Sequence, residues 1–208
     1  MNGSKIKLGF LGGSFNPIHY GHLALAESAR VEFDLLKVIF IPTGNPGYGK
    51  EPSPISGEHR YIMTTLATSS NPYFSVSRIE IERGKSTYTI VTLKRLSNLY
   101  NPCDYDYYYI VGLDSALELL SWKEPKEVLS HTSFIVGTRP DYPLEDFFER
   151  LSPLKEYFHK IHLFKIPLLG ISSNYIRECI GKGKSIKYLA PELVEDYIIK
   201  NKLYSKGG

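Results

Sequence analysis

Short apolar runs alternate with helix-like patterns along the whole chain, and this alternation restricts the fold more than any other feature. The runs that predict strands are Ile6–Leu11, Val38–Ile41, Phe74–Ile81, Tyr107–Val111, Phe134–Val136 and Ile161–Phe164. The helical patterns are Leu23–Phe33, Glu58–Ser69, Thr89–Tyr100, Leu144–Glu156 and a final one that begins at Pro191. Strands that alternate with helices need crossover connections. We therefore predict an α/β fold with an open, mostly parallel, Rossmann-like sheet and helices on both faces.

The composition is that of a globular protein: 42% of the 208 residues are hydrophobic and 23% are charged. No linker or repeat is evident, so we expect a single domain over residues 1–208 with a helical C-terminal part from about residue 172. No stretch approaches the ~18 apolar residues of a membrane span, and Met1–Lys7 lacks the apolar part of a signal peptide. Cys103 and Cys179 form no metal or redox spacing. These features predict a cytoplasmic protein without a membrane partner.

The slight excess of basic side chains, 25 against 22 acidic ones, would suit a polyanionic partner, but the balance is too even to indicate one. No groove-reading motif is present, so we expect no nucleic-acid partner. A homo-oligomer remains open.

Two familiar phosphate-binding motifs are incomplete in this chain. Gly44–Lys50 has the glycine and lysine spacing of a P-loop, but Glu51 stands where a Ser or Thr would hold magnesium, and Pro52 disfavours the helix that must follow. A dinucleotide fingerprint is also missing from the glycines after the first strand. A phosphate site must therefore be built in another way.

The loop after the first strand carries the strongest chemical signal. Gly12 and Gly13 allow a sharp turn and a close approach of the backbone to a ligand. His19 and His22 are three residues apart at the start of a helix, so both rings can face one side. Backbone N–H groups and the helix dipole favour an anion there, and two imidazoles add donors for charge on a phosphoryl group. The alternatives are packing or capping roles, or a zinc site, for which no third ligand stands at a suitable spacing.

The string Gly-Gly-Ser-Phe-Asn-Pro-Ile-His-Tyr-Gly-His over residues 12–22 resembles the H-x-G-H nucleotidyltransferases, specifically the bacterial nicotinate-nucleotide adenylyltransferases. Five later segments resemble that family in the same order, at 41–46, 86–93, 112–122, 138–140 and 171–177. The segment Ile-Ser-Ser-Asn-Tyr-Ile-Arg at 171–177 and the histidine string are the most specific. One departure is that the family's Pro-Pro-His-Lys is replaced by Pro46–Lys50, which lacks the histidine.

The resemblance implies adenylyl transfer from ATP to nicotinate mononucleotide, giving nicotinate adenine dinucleotide and pyrophosphate in NAD biosynthesis. It implies Mg²⁺ carried by the ATP phosphates and no metal ligands from the protein. Alternatives are a sister transferase acting on nicotinamide mononucleotide, phosphopantetheine, a cytidylyl acceptor or a flavin. A protein that binds nucleotide without catalysis is a further alternative.

The predicted catalytic residues are His19, His22 and Arg177. The predicted ATP site contains Gly12, Gly13, Ser14, Phe15, His22, Gly112, Asp114, Arg139, Ile171, Ser172, Ser173 and Arg177. The acceptor site implied by the resemblance contains Ser14, Lys50, Thr87, Tyr88, Thr89 and Trp122.

Several of these assignments have structural alternatives. Ser173 and Arg177 share a helix face and could grip the β- and γ-phosphates, or a serine could cap the helix while Arg177 is solvated. Asp114 could contact ribose or be an N-cap. Trp122 could stack on the pyridine ring or fill the core, and Arg139 could be an exposed loop residue. Function requires that the turn carrying both histidines and the turn carrying Arg177 meet in space.

Overall fold

The computed structural model describes residues 5–44, 55–83, 87–138, 143–166 and 169–205. Its strands are β1 (Ile6–Gly13), β2 (Lys37–Pro42), β3 (Phe74–Val76), β4 (Tyr105–Gly112), β5 (Ser133–Thr138) and β6 (Ile161–Lys165). Its α-helices are α1 (Tyr20–Glu32), α2 (Gly57–Thr68), α3 (Thr89–Leu99), α4 (Leu113–Leu117), α5 (Pro125–His131), α6 (Leu144–Arg150), α7 (Ser173–Gly181) and α8 (Glu192–Lys200). Short 3₁₀-helices follow at Leu119–Ser121 and Ser152–Lys160.

The six strands form one sheet in the order β3-β2-β1-β4-β5-β6. β1 pairs with β4, β4 with β5 and β5 with β6, and all three pairings are parallel. This is the doubly wound order, in which the sequence of strands reverses between β1 and β4. The prediction of a Rossmann-like α/β fold is confirmed.

Two predicted elements are shorter than expected. The predicted strand Phe74–Ile81 ends at Val76, because the Ser77 hydroxyl accepts a hydrogen bond from the N–H of Ile79 and turns the chain. The predicted helix Leu144–Glu156 ends as α6 at Arg150, and a 3₁₀-helix follows. Pro153 has no N–H and its ring clashes with the preceding turn, so it breaks the α-helix.

The chain divides into two compact units. The first unit contains Met1–Gly12, Leu25–Ile39 and Tyr88–Leu168, and the second contains Gly13–Ala24, Phe40–Thr87 and Leu169–Gly208. The single domain expected from the sequence stays a prediction. Among the described residues, no helix combines the length and apolar character needed to cross a bilayer.

The core of the first unit is built on the paired strands β1, β4, β5 and β6. Phe10 of β1 is fully buried and contacts Tyr107 of β4 edge-on, with ring centroids 5.5 Å apart. Ile110 and Phe134 continue this core without exposure to solvent. Leu8–Leu11 of β1 and Tyr109–Val111 of β4 are buried at consecutive positions, which is the pattern of parallel strands covered on both faces.

The core of the second unit is aromatic at its centre. Phe40 contacts Phe15 and Phe74, with ring centroids 5.8 Å and 5.1 Å apart. Helices α2 and α8 pack on each other, and Nδ1 of His59 is hydrogen-bonded to the Tyr197 hydroxyl over 2.9 Å. The second unit therefore brings three separate stretches of chain into one core.

Candidate active site

The histidine turn, residues Gly13–His22, joins β1 to α1, and its middle residues Phe15–His19 are buried although they form a loop. Phe15 has a left-handed backbone with φ of 45° and is 1% exposed. A bulky residue keeps such a backbone only where its surroundings hold it, and Phe15 packs edge-on against His22 with ring centroids 5.1 Å apart. A Cβ at Gly13 would lie 2.9 Å from the Phe15 ring, so glycine is required there. The turn has little freedom to repack.

His19 and His22 stack on each other, with ring centroids 3.8 Å apart and 34° between the ring planes. Burial lowers the pKa of His19 to about 4. Burial lowers the pKa of His22 to about 3, and the nearby His19 adds to this shift because two imidazolium ions repel. Both rings are therefore neutral at pH 7.

Hydrogen bonding decides where the His22 ring carries its proton. The backbone N–H of His19 donates to Nδ1 of His22 over 3.3 Å. A neutral imidazole that accepts at Nδ1 is protonated at Nε2, so His22 presents an Nε2–H donor. Nδ1 of His19 is buried and has no hydrogen-bond partner among the described residues. The pair thus keeps hydrogen-bonding capacity that the described residues do not satisfy.

The serine–arginine turn, residues Ile171–Arg177, begins α7 and is bonded to the histidine turn. The Ser173 hydroxyl donates to the carbonyl oxygen of Pro17 over 2.8 Å. Nη1 of Arg177 donates to the carbonyl oxygen of Asn16 over 2.7 Å. The expectation that these two turns meet is confirmed, and the alternative of a solvated Arg177 is wrong.

The start of α7 adds backbone donors beside the histidine turn. Ser172 is the N-cap, because its side chain accepts from the N–H of Tyr175 over 3.2 Å. The capping alternative is therefore correct for Ser172. Ser173 has one hydroxyl proton, which it gives to Pro17, so its hydroxyl joins the two turns. The first N–H groups of a helix and its positive dipole end favour anions.

The first unit contains two predicted glycines with different surroundings. The Tyr109 hydroxyl overlaps the position that a Cβ on Gly12 would take. Gly112 is the N-cap of α4, and no heavy atom lies within 4 Å of a Cβ added there. Asp114 lies in the first turn of α4 and is exposed. The alternative of Asp114 as the N-cap is therefore wrong.

Trp122 is half-buried in the first unit. It packs edge-on against Tyr109, with ring centroids 6.0 Å apart, and contacts Phe134 at 5.8 Å. The alternative that Trp122 fills the core accounts for these two contacts. It does not account for the part of the indole that is accessible to solvent.

The remaining predicted acceptor residues lie around the start of α3. Tyr88 is its N-cap and its carbonyl accepts from Val91, while Thr89 is the first helical residue. Thr87 precedes them and belongs to the second unit. Arg139 and Lys50 lie outside the described residues.

The sequence analysis missed two side chains that hold the histidine turn. Arg60 on α2 is 1% exposed and donates to the Ser14 carbonyl over 2.8 Å. The Tyr204 hydroxyl donates to Oδ1 of Asn16 over 2.7 Å. Burial raises the pKa of Tyr204 above its ordinary value, and the nearby Arg177 and Arg60 oppose that shift.

Known proteins resemble this chain in both sequence and fold. The pattern of the cytidylyltransferase-like family matches residues 10–179, which defines the broad class as a nucleotidyltransferase fold. A curated "Probable nicotinate-nucleotide adenylyltransferase" of Moorella thermoacetica is 47% identical over 199 residues, covering 95% of this chain and 91% of the relative. One from Thermoanaerobacter sp. is 45% identical over 203 residues, covering 97% and 96%. The chain belongs to the nicotinate-nucleotide adenylyltransferase family.

A solved structure supports the fold assignment. The nicotinic acid mononucleotide adenylyltransferase of Plasmodium falciparum, complexed with NaAD, matches with a TM-score of 0.78 over 96% of this chain and 97% of that one. The sequence identity is 24%, so this likeness shows the fold alone.

Proposed function

We propose that the protein transfers the adenylyl group of ATP to the phosphate of nicotinate mononucleotide, forming nicotinate adenine dinucleotide and pyrophosphate in NAD biosynthesis. The observation that carries this proposal is the bonding of Ser173 and Arg177 to the turn that holds His19 and His22. The names of the curated relatives support the choice of acceptor.

The reaction needs no covalent enzyme intermediate. An oxygen of the acceptor phosphate attacks the α-phosphorus of ATP, and the bond from that phosphorus to the oxygen bridging to the β-phosphorus breaks. Pyrophosphate leaves with the bridging oxygen and its electron pair. Since the nucleophile is already an anion, the protein contributes positioning and charge stabilisation.

We assign the histidine pair to the phosphoryl group under attack. The Nε2–H of His22 donates to a phosphate oxygen on which charge develops, and the preset tautomer means that this donor needs no rearrangement. The low pKa values keep both rings neutral before ATP arrives, and the charge of a bound polyphosphate raises them. His19 contacts the same phosphates in this proposal.

We assign the serine–arginine turn to the leaving pyrophosphate. Arg177 uses one N–H for the Asn16 carbonyl and another for the side chain of Asn174, which leaves further N–H groups of its five. The free N–H groups at the start of α7 and the positive end of its helix dipole favour binding of the anionic pyrophosphate. Ile171, Ser172 and Ser173 contribute backbone contacts, and Gly13, Ser14 and Phe15 line the same phosphates.

Magnesium enters as part of the substrate, bound to the ATP phosphates. In the described ranges no three His, Cys, Asp or Glu side chains are grouped to hold a metal ion. The donors of the two turns are N–H groups, imidazoles and a guanidinium, which fit phosphate oxygens rather than a cation. Mg²⁺ on the phosphates neutralises charge that would otherwise repel the incoming acceptor phosphate.

We assign the remaining predicted residues to the bases and the pyridine ring. Gly12, Gly112, Asp114 and Arg139 contact the adenine nucleotide, and Ser14, Thr87, Tyr88, Thr89, Trp122 and Lys50 contact the acceptor. Trp122 offers the accessible part of its ring for stacking. We also propose that the chain works in the cytoplasm as one domain.

Pyrophosphate release from ATP tests this function. Purified protein is assayed with Mg²⁺, ATP and one acceptor at a time: nicotinate mononucleotide, nicotinamide mononucleotide or phosphopantetheine. We expect the highest kcat/KM with nicotinate mononucleotide and a dinucleotide product in equal amount to pyrophosphate. Preference for another acceptor overturns the substrate assignment. Tight ATP binding without pyrophosphate from any acceptor overturns the enzymatic assignment.

A further inference from the structure

Arg60 is a fully buried cation on the inner face of α2. It is followed on that face by Met63, Thr64 and Ala67, which are also buried. Nη1 of Arg60 donates to the Ser14 carbonyl over 2.8 Å and to Oγ1 of Thr43 over 3.2 Å.

These bonds join the two loops that follow β1 and β2. Nη2 of Arg60 donates to the carbonyl of Gly44 in the loop after β2. The N–H of Thr43 donates to the carbonyl of Gly13 over 2.9 Å, so the loops also share a backbone bond. A single side chain therefore holds Ser14 of the histidine turn next to Thr43 and Gly44, the first two residues after β2.

Burial of this cation is costly, which argues that it does more than fill space. Burial lowers the pKa of Arg60 from its ordinary value, Glu80 opposes that shift, and an arginine stays protonated in proteins. Nε of Arg60 has no hydrogen-bond partner among the described residues. An apolar side chain of similar length would fill the same face without the desolvation of a charge.

The bond to Ser14 also sets the direction of a backbone donor in the histidine turn. The Ser14–Phe15 peptide is trans, since Asn16–Pro17 is the one cis peptide in the described ranges. The carbonyl and the N–H of a trans peptide point in opposite directions. When the Ser14 carbonyl is held by Arg60, the N–H of Phe15 is therefore turned away from α2.

We propose that Arg60 is a positioning residue for adenylyl transfer, which sets the orientation of the histidine turn relative to Thr43 and Gly44 without touching substrate. This role rests on the proposed function, because the turn that Arg60 holds is the one assigned to the phosphates. Small displacements of groups that act in the transition state reduce turnover strongly. Loss of Arg60 should therefore lower kcat far more than it changes the KM for ATP.

The first experiment replaces Arg60 with Met and with Lys. We expect Arg60→Met to lower kcat, counted per folded molecule by near-UV circular dichroism, about 30- to 100-fold with KM for ATP changed less than about threefold. Arg60→Lys should lie between it and the wild type, because an ammonium cannot make the forked bonds of a guanidinium. The matched control is Arg78→Met, since Arg78 is a partly exposed arginine that pairs with Glu58, and the kcat of this variant should not change. Wild-type kcat per folded molecule in Arg60→Met overturns the proposal.

A second experiment remains decisive if Arg60→Met does not fold. Arg60→Ala is assayed with guanidinium chloride added at a few millimolar, and with urea or NaCl at the same concentration as controls. We expect guanidinium alone to raise kcat at least about fivefold. Thr43→Val, which removes one acceptor of Arg60, should lower kcat about two- to fivefold. Absence of both effects overturns the proposal.

The failure of this proposal can be separated from the failure of the proposed function. Wild-type turnover with nicotinate mononucleotide tests the function. The ratio of variant to wild-type turnover, measured with whichever acceptor the wild type uses, tests Arg60. If the wild type uses another acceptor and Arg60→Met still lowers kcat by the expected factor, the proposed function is wrong. The positioning role of Arg60 is then still supported.

Discussion

The turns that follow β1 and β4 occupy corresponding places in two paired parallel strands, yet they are built in opposite ways. In the turn after β1, Phe15, Ile18 and His19 are buried and the backbone carbonyls are bound by distant side chains. In the turn after β4, Gly112 has open space around it and Asp114 is exposed. The first is bound by distant side chains at its backbone carbonyls, whereas the second buries Leu113 and Ala116 but leaves Gly112 and Asp114 uncovered.

This difference indicates that the two turns have different roles, one in stabilising the transition state and the other in binding substrate. Groups that stabilise a transition state must keep their geometry to a fraction of an ångström, which dense packing provides. Groups that only hold a substrate tolerate adjustment. We therefore expect substitutions after β1 to affect kcat and those after β4 to affect KM. Four measurements test this expectation and the difference in packing behind it.

The largest expected effect is that of His22→Ala. Loss of a preset donor to the developing charge should lower kcat about 10²- to 10³-fold. Asp114→Ala, in the open turn, should change kcat less than about threefold and raise KM for ATP. Both are measured by pyrophosphate release, with the exposed His131→Ala as control. A His22→Ala enzyme of near-normal turnover would remove the basis of the comparison.

Substitutions at Gly12 and Gly112 compare the packing at the ends of β1 and β4 through the free energy of unfolding. Gly12→Ala places a methyl group against the Tyr109 hydroxyl, and should reduce the free energy of unfolding by about 2–3 kcal/mol. Gly112→Ala meets no atom, and its φ of −76° suits any residue, so the change should be within about 0.5 kcal/mol. Urea titration measures both. Tyr109→Phe should relieve part of the strain in Gly12→Ala, and equal losses for the two glycines would contradict the difference in packing.

The buried histidine pair should make stability depend on pH. In the folded protein the pKa values of His19 and His22 lie at about 4 and about 3, whereas an ordinary histidine has about 6.5. The unfolded chain therefore binds more protons below pH 6.5, and stability falls with acid by roughly 1.4 kcal/mol per pH unit for each ring.

His22→Asn should remove one of these two contributions. Between pH 6.5 and 5 the variant should lose roughly 2 kcal/mol less than the wild type, measured by urea titration at each pH. An exposed histidine substitution, His131→Asn, serves as control. Parallel curves for wild type and His22→Asn would mean that the ring is not desolvated.

The smallest effect concerns Trp122. Loss of a stacking face should raise KM for the acceptor about tenfold in Trp122→Ala while KM for ATP stays constant. Because the chain has one tryptophan, its fluorescence should be quenched by the acceptor and not by ATP. Trp122→Phe keeps an aromatic face and should show an intermediate KM. Quenching by ATP alone would assign Trp122 to the other substrate.

The structural features that could be predicted are those with a periodic sequence pattern or a local sequence rule. Strand and helix periodicity was sufficient for the α/β fold, and the rule that loops after parallel strands bind ligands identified both turns. The helix predicted over 144–156 was too long because the apolar pattern continues past Pro153, which a backbone constraint interrupts.

The supports of the site were missed because their partners leave no local pattern. Arg60 bonds the carbonyl of a residue 46 positions away, and any residue type has a carbonyl. One signal was present: Arg60 stands three, four and seven positions before buried residues of α2, so it lies on the inner face of that helix. A charged residue on the buried face of a helix is therefore a candidate for a role other than packing.

The bond from Tyr204 to Asn16 has a consequence for synthesis. It joins residues 188 positions apart, so a ribosome makes Asn16 long before its partner emerges from the exit tunnel. A nascent chain that ends before Ser173 lacks this restraint, as well as the bonds from Ser173 and Arg177. The histidine turn is thus encoded early and completed late, and a chain stalled before residue 173 holds it through Arg60 without its three C-terminal partners.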